Sequence, residues 1–135
     1  MFNTFVDIKF YDADPAGIMF FANAFKLAHG VYEQFVKASP LSKGYFNNDS
    51  FVVPIMHSEA DFFKPILPDS TLKASLEVSK LKESSFELTC VFFNNESREE
   101  YLRVKTVHVF VQKSSWKKIP VPVDFRKYLN DHISI

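Results

Sequence analysis

Only one long stretch of this chain repeats its apolar residues at the period of an α-helix. Phe21, Phe25, Ala28, Val31, Tyr32, Phe35 and Val36 fall three or four apart. Between them the polar residues are Asn23, Lys26, His29, Glu33 and Gln34, too few to clothe half a helix. A helix from Phe20 or Phe21 to about Lys37 is therefore expected to be buried over most of its circumference. Gly30 inside it costs about 1 kcal/mol relative to alanine, which points to a close backbone approach. Ser39-Pro40 ends it, because a residue before proline avoids the helical region. One such helix needs a sheet wide enough to hold it.

The rest of the chain supplies that sheet. Phe5 to Phe10 reads as a short strand. After a polar loop from Ser42 to Ser50, Phe51 to Lys64 reads as a strand carrying Pro54. Leu72, Ala74, Leu76 and Val78 alternate with Lys73, Ser75, Glu77 and Ser79, and Phe86, Leu88, Cys90 and Phe92 form another period-two face. Tyr101 to Gln112 is a further strand. Lys82-Glu83-Ser84 and Asn94-Asn95 mark hairpin turns, and a short helix is expected from Asp124 to Asp131. Strand, helix and then a meander of four strands make an α+β domain of two layers, with a curved antiparallel sheet of about five strands. At 135 residues, one domain spanning 1–135 is expected.

Composition excludes several classes of function. Sixteen Lys and Arg offset sixteen Asp and Glu, which leaves no electrostatic case for nucleic acid or an anionic membrane. The longest apolar run, Ile18 to Ala22, is far short of a membrane span, and no signal peptide is visible, so a cytoplasmic protein is expected. A single cysteine, Cys90, rules out an internal disulfide and reads as a small core residue. No histidine pair has metal-ligand spacing, and no metal is expected. Sixteen Phe against three Gly is more ring than one small core hides. The excess points to an oligomer interface or an apolar ligand tunnel, and the sheet's other face is expected to carry apolar side chains covered by a symmetric partner.

The stretch that bears on chemistry is Tyr11-Asp12-Ala13-Asp14-Pro15-Ala16-Gly17-Ile18-Met19-Phe20-Phe21-Ala22-Asn23. Two acids sit in a turn that runs straight into a helix N-terminus, where unpaired N–H groups can hold a developing oxyanion. A carboxylate just upstream can attack a carbonyl held there, or activate water beside it. The same pattern also serves as a plain turn and helix-entry device. On the residues alone both readings stand.

This stretch resembles the motif of hotdog-fold acyl-CoA thioesterases of the 4-hydroxybenzoyl-CoA thioesterase family: a strand ending in Asp-x-Asp, a small-residue turn with Gly, an aliphatic-aromatic run, then Asn. The resemblance runs over almost the whole chain, to Ile119-Pro120-Val121-Pro122-Val123-Asp124-Phe125-Arg126-Lys127-Tyr128. Leu27 to Glu33 and Val53 to Pro65 look like the branch that hydrolyses 1,4-dihydroxy-2-naphthoyl-CoA in quinone biosynthesis. Phe25 stands where many relatives carry Tyr, so any role for that hydroxyl is absent here. The resemblance implies a hotdog fold, hydrolysis of an acyl-CoA thioester, and no cofactor beyond the substrate's own coenzyme A. It implies Asp14 as the catalytic carboxylate and the Phe21 backbone N–H as the oxyanion donor. Gly17, Phe20, Asn23 and His57 are the candidates for substrate contact. Lys80 and Lys82, with Lys64 and Arg103 behind them, are the candidates for the coenzyme A phosphates. Asp12 is expected to bond loop backbone instead. A homodimer with its sheets joined edge to edge, and a homotetramer built as a dimer of dimers, are implied as well.

Three other readings remain: an aliphatic acyl-CoA thioesterase, a hydratase or dehydratase built on His29, and a non-catalytic acyl-CoA-binding module. Phe20, Phe21, Phe62 and Phe63 would suit a flat aryl group or an aliphatic tunnel alike.

Overall fold

The computed structural model describes residues 1–133. The period-two segments become a five-stranded antiparallel sheet in the order β1-β4-β5-β6-β3, formed by β1 (Phe2–Asp7), β3 (Ile55–Phe62), β4 (Thr71–Leu81), β5 (Ser85–Phe93) and β6 (Glu100–Val109). Its inner face carries Leu72, Ala74, Leu76, Val78, Phe86, Leu88, Cys90, Phe92, Leu102 and Val104, all buried. Against it lies α1 (Asn23–Lys37), which contributes Ala24, Ala28, Val31, Tyr32, Phe35 and Val36 to the same core. The hairpin turns fall where the polar residues put them: Lys82 N–H donates to Ser85 O, and the Asn94 side chain accepts from the N–H groups of Glu96 and Ser97.

Two long runs are broken. Phe51 to Lys64 splits at Pro54, which cannot donate to a ladder, leaving β2 (Phe51–Val52) apart from β3. Tyr101 to Gln112 splits at Phe110, whose N–H turns to Ser84 O and leaves β7 (Val111–Gln112) to pair with β2. The last helix, α2 (Val123–Asn130), closes one end of the sandwich. Phe125 is fully buried with its ring 5.8 Å from Phe86, 5.9 Å from Phe110 and 5.3 Å from Tyr45. Tyr128 Oη donates to Phe35 O at 2.6 Å, and Arg126 donates to the carbonyls of Lys82 and Glu83 at 2.8 Å each.

Three expectations need correcting. The helix starts at Asn23 and buries one face only; Phe21, in the loop ahead of it, and Phe25, on the helix itself, both stay exposed. Gly30 is not a close approach, since a Cβ there would meet nothing within 4 Å. The outer face of the sheet is mostly polar, carrying Lys73, Ser75, Glu77, Glu87, Arg103 and Lys105 beside Phe5, Val91, Phe93 and Val107. The exposed rings gather instead on the Phe10 to Phe21 loop and on β3 with the loop after it. Strand β3 is one of the sheet's two edges, β1 being the other, and is exposed along most of its length.

Candidate active site

The loop between β1 and α1 is built on Asp12. Its carboxylate, 5% exposed, accepts the Lys9 N–H at 2.9 Å. Its carbonyl accepts both the Phe20 N–H (2.8 Å) and the Asn23 side-chain amide (3.0 Å). One residue thereby ties the start of the loop to its end and to the first residue of α1. The Met19 N–H donates to Ile66 O at 2.7 Å, anchoring the loop to the segment between β3 and β4.

Between these ties the chain makes a tight turn. The Asp14 N–H donates to Ile18 O at 2.8 Å and the Gly17 N–H to Asp14 O at 2.9 Å. Gly17 takes φ +80°, a left-handed conformation that a Cβ would strain. Asp14 is half-buried, and its Oδ1 accepts the Ala16 N–H at 2.8 Å. Its Oδ2 has no partner among the described residues. The carboxylate is thus held by one oxygen and open at the other.

Immediately downstream the start of α1 is uncapped. Ala22, at the N-cap position, makes no side-chain cap bond, and the first turn holds no acidic residue. The N–H groups of Phe21 and Ala22 donate to nothing among the described residues. Free amides at the positive end of a helix suit an anion or a developing oxyanion. Phe21 also lines a pocket of about 330 Å³ with Ile18, Met19, Phe62, Phe63 and Pro65. Lys64, which also lines it, reaches Glu99 at 3.3 Å. Carboxylate, free N–H and an apolar aromatic pocket are what hydrolysis of a thioester with a bulky acyl group asks for.

Residues 8–129 match the model of the Thioesterase-like superfamily. The chain belongs to that superfamily. Two 1,4-dihydroxy-2-naphthoyl-CoA hydrolases are similar over most of their length. The one from Nostoc punctiforme is 31% identical over 90% of this chain and 82% of its own, and the one from Gloeothece citriformis is 31% identical over 85% and 82%. The crystal structure of a 1,4-dihydroxy-2-naphthoyl-CoA thioesterase from Synechocystis superposes with a TM-score of 0.85 at 22% identity, covering 96% of each chain. The fold is the hotdog expected from the motif, and the protein is a thioester hydrolase.

Not every residue singled out in this thioesterase lies at the loop. Asp14, Gly17, Phe20, Phe21 and Asn23 are brought together there, but the Asn23 amide is spent on Asp12 O and Gly17 serves the turn. His57 does not join them. It pairs with Val107 on the outer face of the sheet, opposite α1, and approaches Glu59 at 3.7 Å. Lys80 and Lys82 do not join them either. The Asp14 loop adjoins Thr71 at one end of β4, whereas Lys82 follows its other end. The strand's 11 residues, at about 3.3 Å each, put roughly 35 Å between those ends. Arg103 faces outward too, bonded to both Glu100 oxygens at 2.8 Å. His29 sits on α1 beside Glu33 at 3.4 Å. Among the described residues no three His, Cys, Asp or Glu side chains cluster as a metal site needs, and no helix is long and apolar enough to cross a membrane.

His108 is what the residue-level reading passed over. It is fully buried, its Nε2 lies 2.7 Å from Thr106 Oγ1, and its ring stacks on Phe86 at 4.9 Å. Its Nδ1 has no partner among the described residues. An unpaired buried nitrogen of this kind costs about 1–3 kcal/mol. Burial, and secondarily the charge of His29, pushes its pKa down to about 3. The signal lay in the alternation: Leu102, Val104, Thr106 and His108 share the inward face of β6.

Proposed function

We propose that this thioesterase hydrolyses an aryl-CoA thioester of the 1,4-dihydroxy-2-naphthoyl-CoA kind, releasing coenzyme A and the free acid with water as the only co-reactant. The observation that carries this reading is the uncapped start of α1, where the Phe21 N–H has no partner among the described residues and the loop ahead of it holds a carboxylate with one oxygen uncommitted. The thioester carbonyl lies on the Phe21 N–H. The Asp14 carboxylate then adds to the carbonyl carbon, or takes a proton from a water that does. The C–S bond breaks, and the thiolate leaves and is protonated; in the first route water then cleaves the anhydride formed on Asp14, freeing the acid and restoring the carboxylate. The two hydrolases at 31% identity favour an aromatic acyl group over an aliphatic one, and the pocket wall accommodates it.

The free edge of β3 supports a two-fold dimer, because a second copy pairing antiparallel there would continue both sheets. Antiparallel pairing also reverses the second copy, so the end of the sheet that bears Lys80 and Lys82 falls toward the Asp14 end of the first. Those lysines are proposed to meet the coenzyme A phosphates across the dimer, not within one chain.

The test is Asp14→Asn, which preserves the Oδ1 acceptor for the Ala16 N–H and removes the charge. Turnover of 1,4-dihydroxy-2-naphthoyl-CoA is expected to fall by about two or more powers of ten with KM and folding little changed. Near-normal turnover in this variant would overturn the mechanism, and faster hydrolysis of palmitoyl-CoA by the unmodified enzyme would overturn the substrate class.

A further inference from the structure

Most of the amides that lead into α1 are bonded. Met19 N–H donates to Ile66 O, Phe20 N–H to Asp12 O, Asn23 N–H to Phe20 O at 2.9 Å and Ala24 N–H to Phe21 O at 3.1 Å. Between them, Phe21 and Ala22 donate to nothing among the described residues. Ties on both sides of this gap end on one atom, the carbonyl oxygen of Asp12. It accepts the Phe20 N–H at 2.8 Å and the Asn23 side-chain amide at 3.0 Å. A carbonyl oxygen has two lone pairs, so Asp12 O is full.

The use Asn23 makes of its side chain is not the ordinary one. Asparagine at a helix start favours the N-cap, where its oxygen accepts from the first-turn amides. Here Ala22 holds the N-cap position and Asn23 is the first residue of the helix. Its amide nitrogen reaches back eleven residues to the loop. That bond does nothing for the helix's own unpaired donors, and the helix start stays open. Without the Asn23 amide, Asp12 O would keep the Phe20 N–H and have a lone pair available to the next amide along the chain, that of Phe21.

We propose that Asn23 is a positioning residue for the hydrolysis: its amide fills the second lone pair of Asp12 O, keeps that carbonyl off the Phe21 N–H, and so holds the oxyanion donor open for the thioester. The inference rests on the oxyanion reading of Phe21 given above and deepens it. Asn23 thereby leaves the set of substrate contacts expected from the motif. Its amide faces the loop, and it does not line the pocket that Phe21 shares with Phe62 and Phe63.

The experiment measures kcat and KM for Asn23→Leu, similar in shape but without a donor, on the acyl-CoA thioester that the unmodified protein hydrolyses fastest. The kcat is expected to fall by about tenfold to a hundredfold, toward the cost of a lost oxyanion donor, with KM within about threefold. Asn23→Gln, which keeps a donor, should stay within about threefold of the unmodified kcat. Amide hydrogen exchange, followed by NMR, reads the geometry independently of activity. Exchange at Phe21 should slow by about tenfold or more in Asn23→Leu, because Asp12 O then takes that N–H, and stay fast in Asn23→Gln. A residue that merely braced the loop would do the reverse, speeding exchange at Phe20 and Phe21 alike. Where Asn23→Leu does not fold, Asn23→Ala, which lacks a donor and favours helix, gives the same two readings. Unchanged kcat with unchanged exchange at Phe21, a raised KM with kcat kept, or faster exchange at Phe21 would overturn the proposal, while the Asp14 chemistry stands or falls by Asp14→Asn. Slower exchange at Phe21 with kcat unchanged would overturn the oxyanion reading itself, and the proposal with it.

Discussion

His108 makes the stability of this thioesterase fall as pH falls, and by an amount that can be worked out. Buried without a charge partner, its imidazole holds a pKa of about 3, against about 6.5 in an unfolded chain. Between those values the unfolded chain takes up a proton that the folded one refuses. Its contribution is therefore whole above about pH 6.5 and drains as pH drops toward 3. From about pH 7 to pH 5 the loss is about 2 kcal/mol, each pKa unit being about 1.4 kcal/mol. For a chain of this length that corresponds to a Tm lower by roughly 6–8 °C. Other histidines and carboxylates titrate in the same range, so the measurement is a difference. Urea unfolding at the two pH values, at fixed protein concentration, is compared between the unmodified protein and His108→Leu, which fills similar space and cannot titrate. The variant should lose about 2 kcal/mol less on acidification, whatever its starting stability. Where the variant is too weak to measure, the imidazole resonances of His108 are followed directly and should stay those of a neutral ring at about pH 4.5. Equal pH dependence in both proteins, or a ring that titrates near 6, refutes the argument.

Gly30→Ala should stabilise the protein by about 0.5–1 kcal/mol, read as a rise in Tm, because the added methyl meets nothing within 4 Å and the helix gains propensity. Asp12→Ala should lower the free energy of unfolding by about 1–3 kcal/mol, since it strips the Lys9 N–H of its acceptor, with a smaller loss of kcat than Asp14→Asn. Sedimentation at micromolar concentration should give a dimer or a tetramer; a clean monomer there removes the basis for Lys80 and Lys82 acting on a neighbouring site.

Much of this architecture could be read from side-chain periodicity. The alternation of Leu72 to Val78 and of Phe86 to Phe92 is the inner face of β4 and β5, and the three- and four-residue spacing through Val36 is α1. Local pattern failed where a single backbone group decides the outcome. Pro54 lacks an N–H, and Phe110 turns its own to Ser84 in a different hairpin, a tertiary event that no local window contains. Gly30 misled for a related reason: a helix tolerates glycine for want of any neighbour as readily as for the nearness of one. At the site, the motif marked the loop, but the division of labour within it depends on hydrogen bonds that cross it. Asn23 is tied to Asp12 eleven residues earlier, and His57 faces outward because a bulge at Met56 resets the alternation of β3. Distance was least legible of all, since Lys82 and Asp14 lie at opposite ends of strands whose pairing order is set only in the folded sheet.

The seal made by α2 has a consequence for biosynthesis. The ribosome releases α1 before any strand of the sheet except β1, and β1 itself waits for β4, with Phe5 opposite Lys73. Phe35 is covered on one side only when Tyr128 arrives to bond its carbonyl, and Phe86 and Phe110 gain Phe125 at the same late moment. The nascent chain thus carries a bare aromatic helix through most of its synthesis and completes its core only after its last turn of helix has left the exit tunnel. A chain stalled anywhere before Phe125 lacks these covers and is a client for chaperones rather than a partly working enzyme.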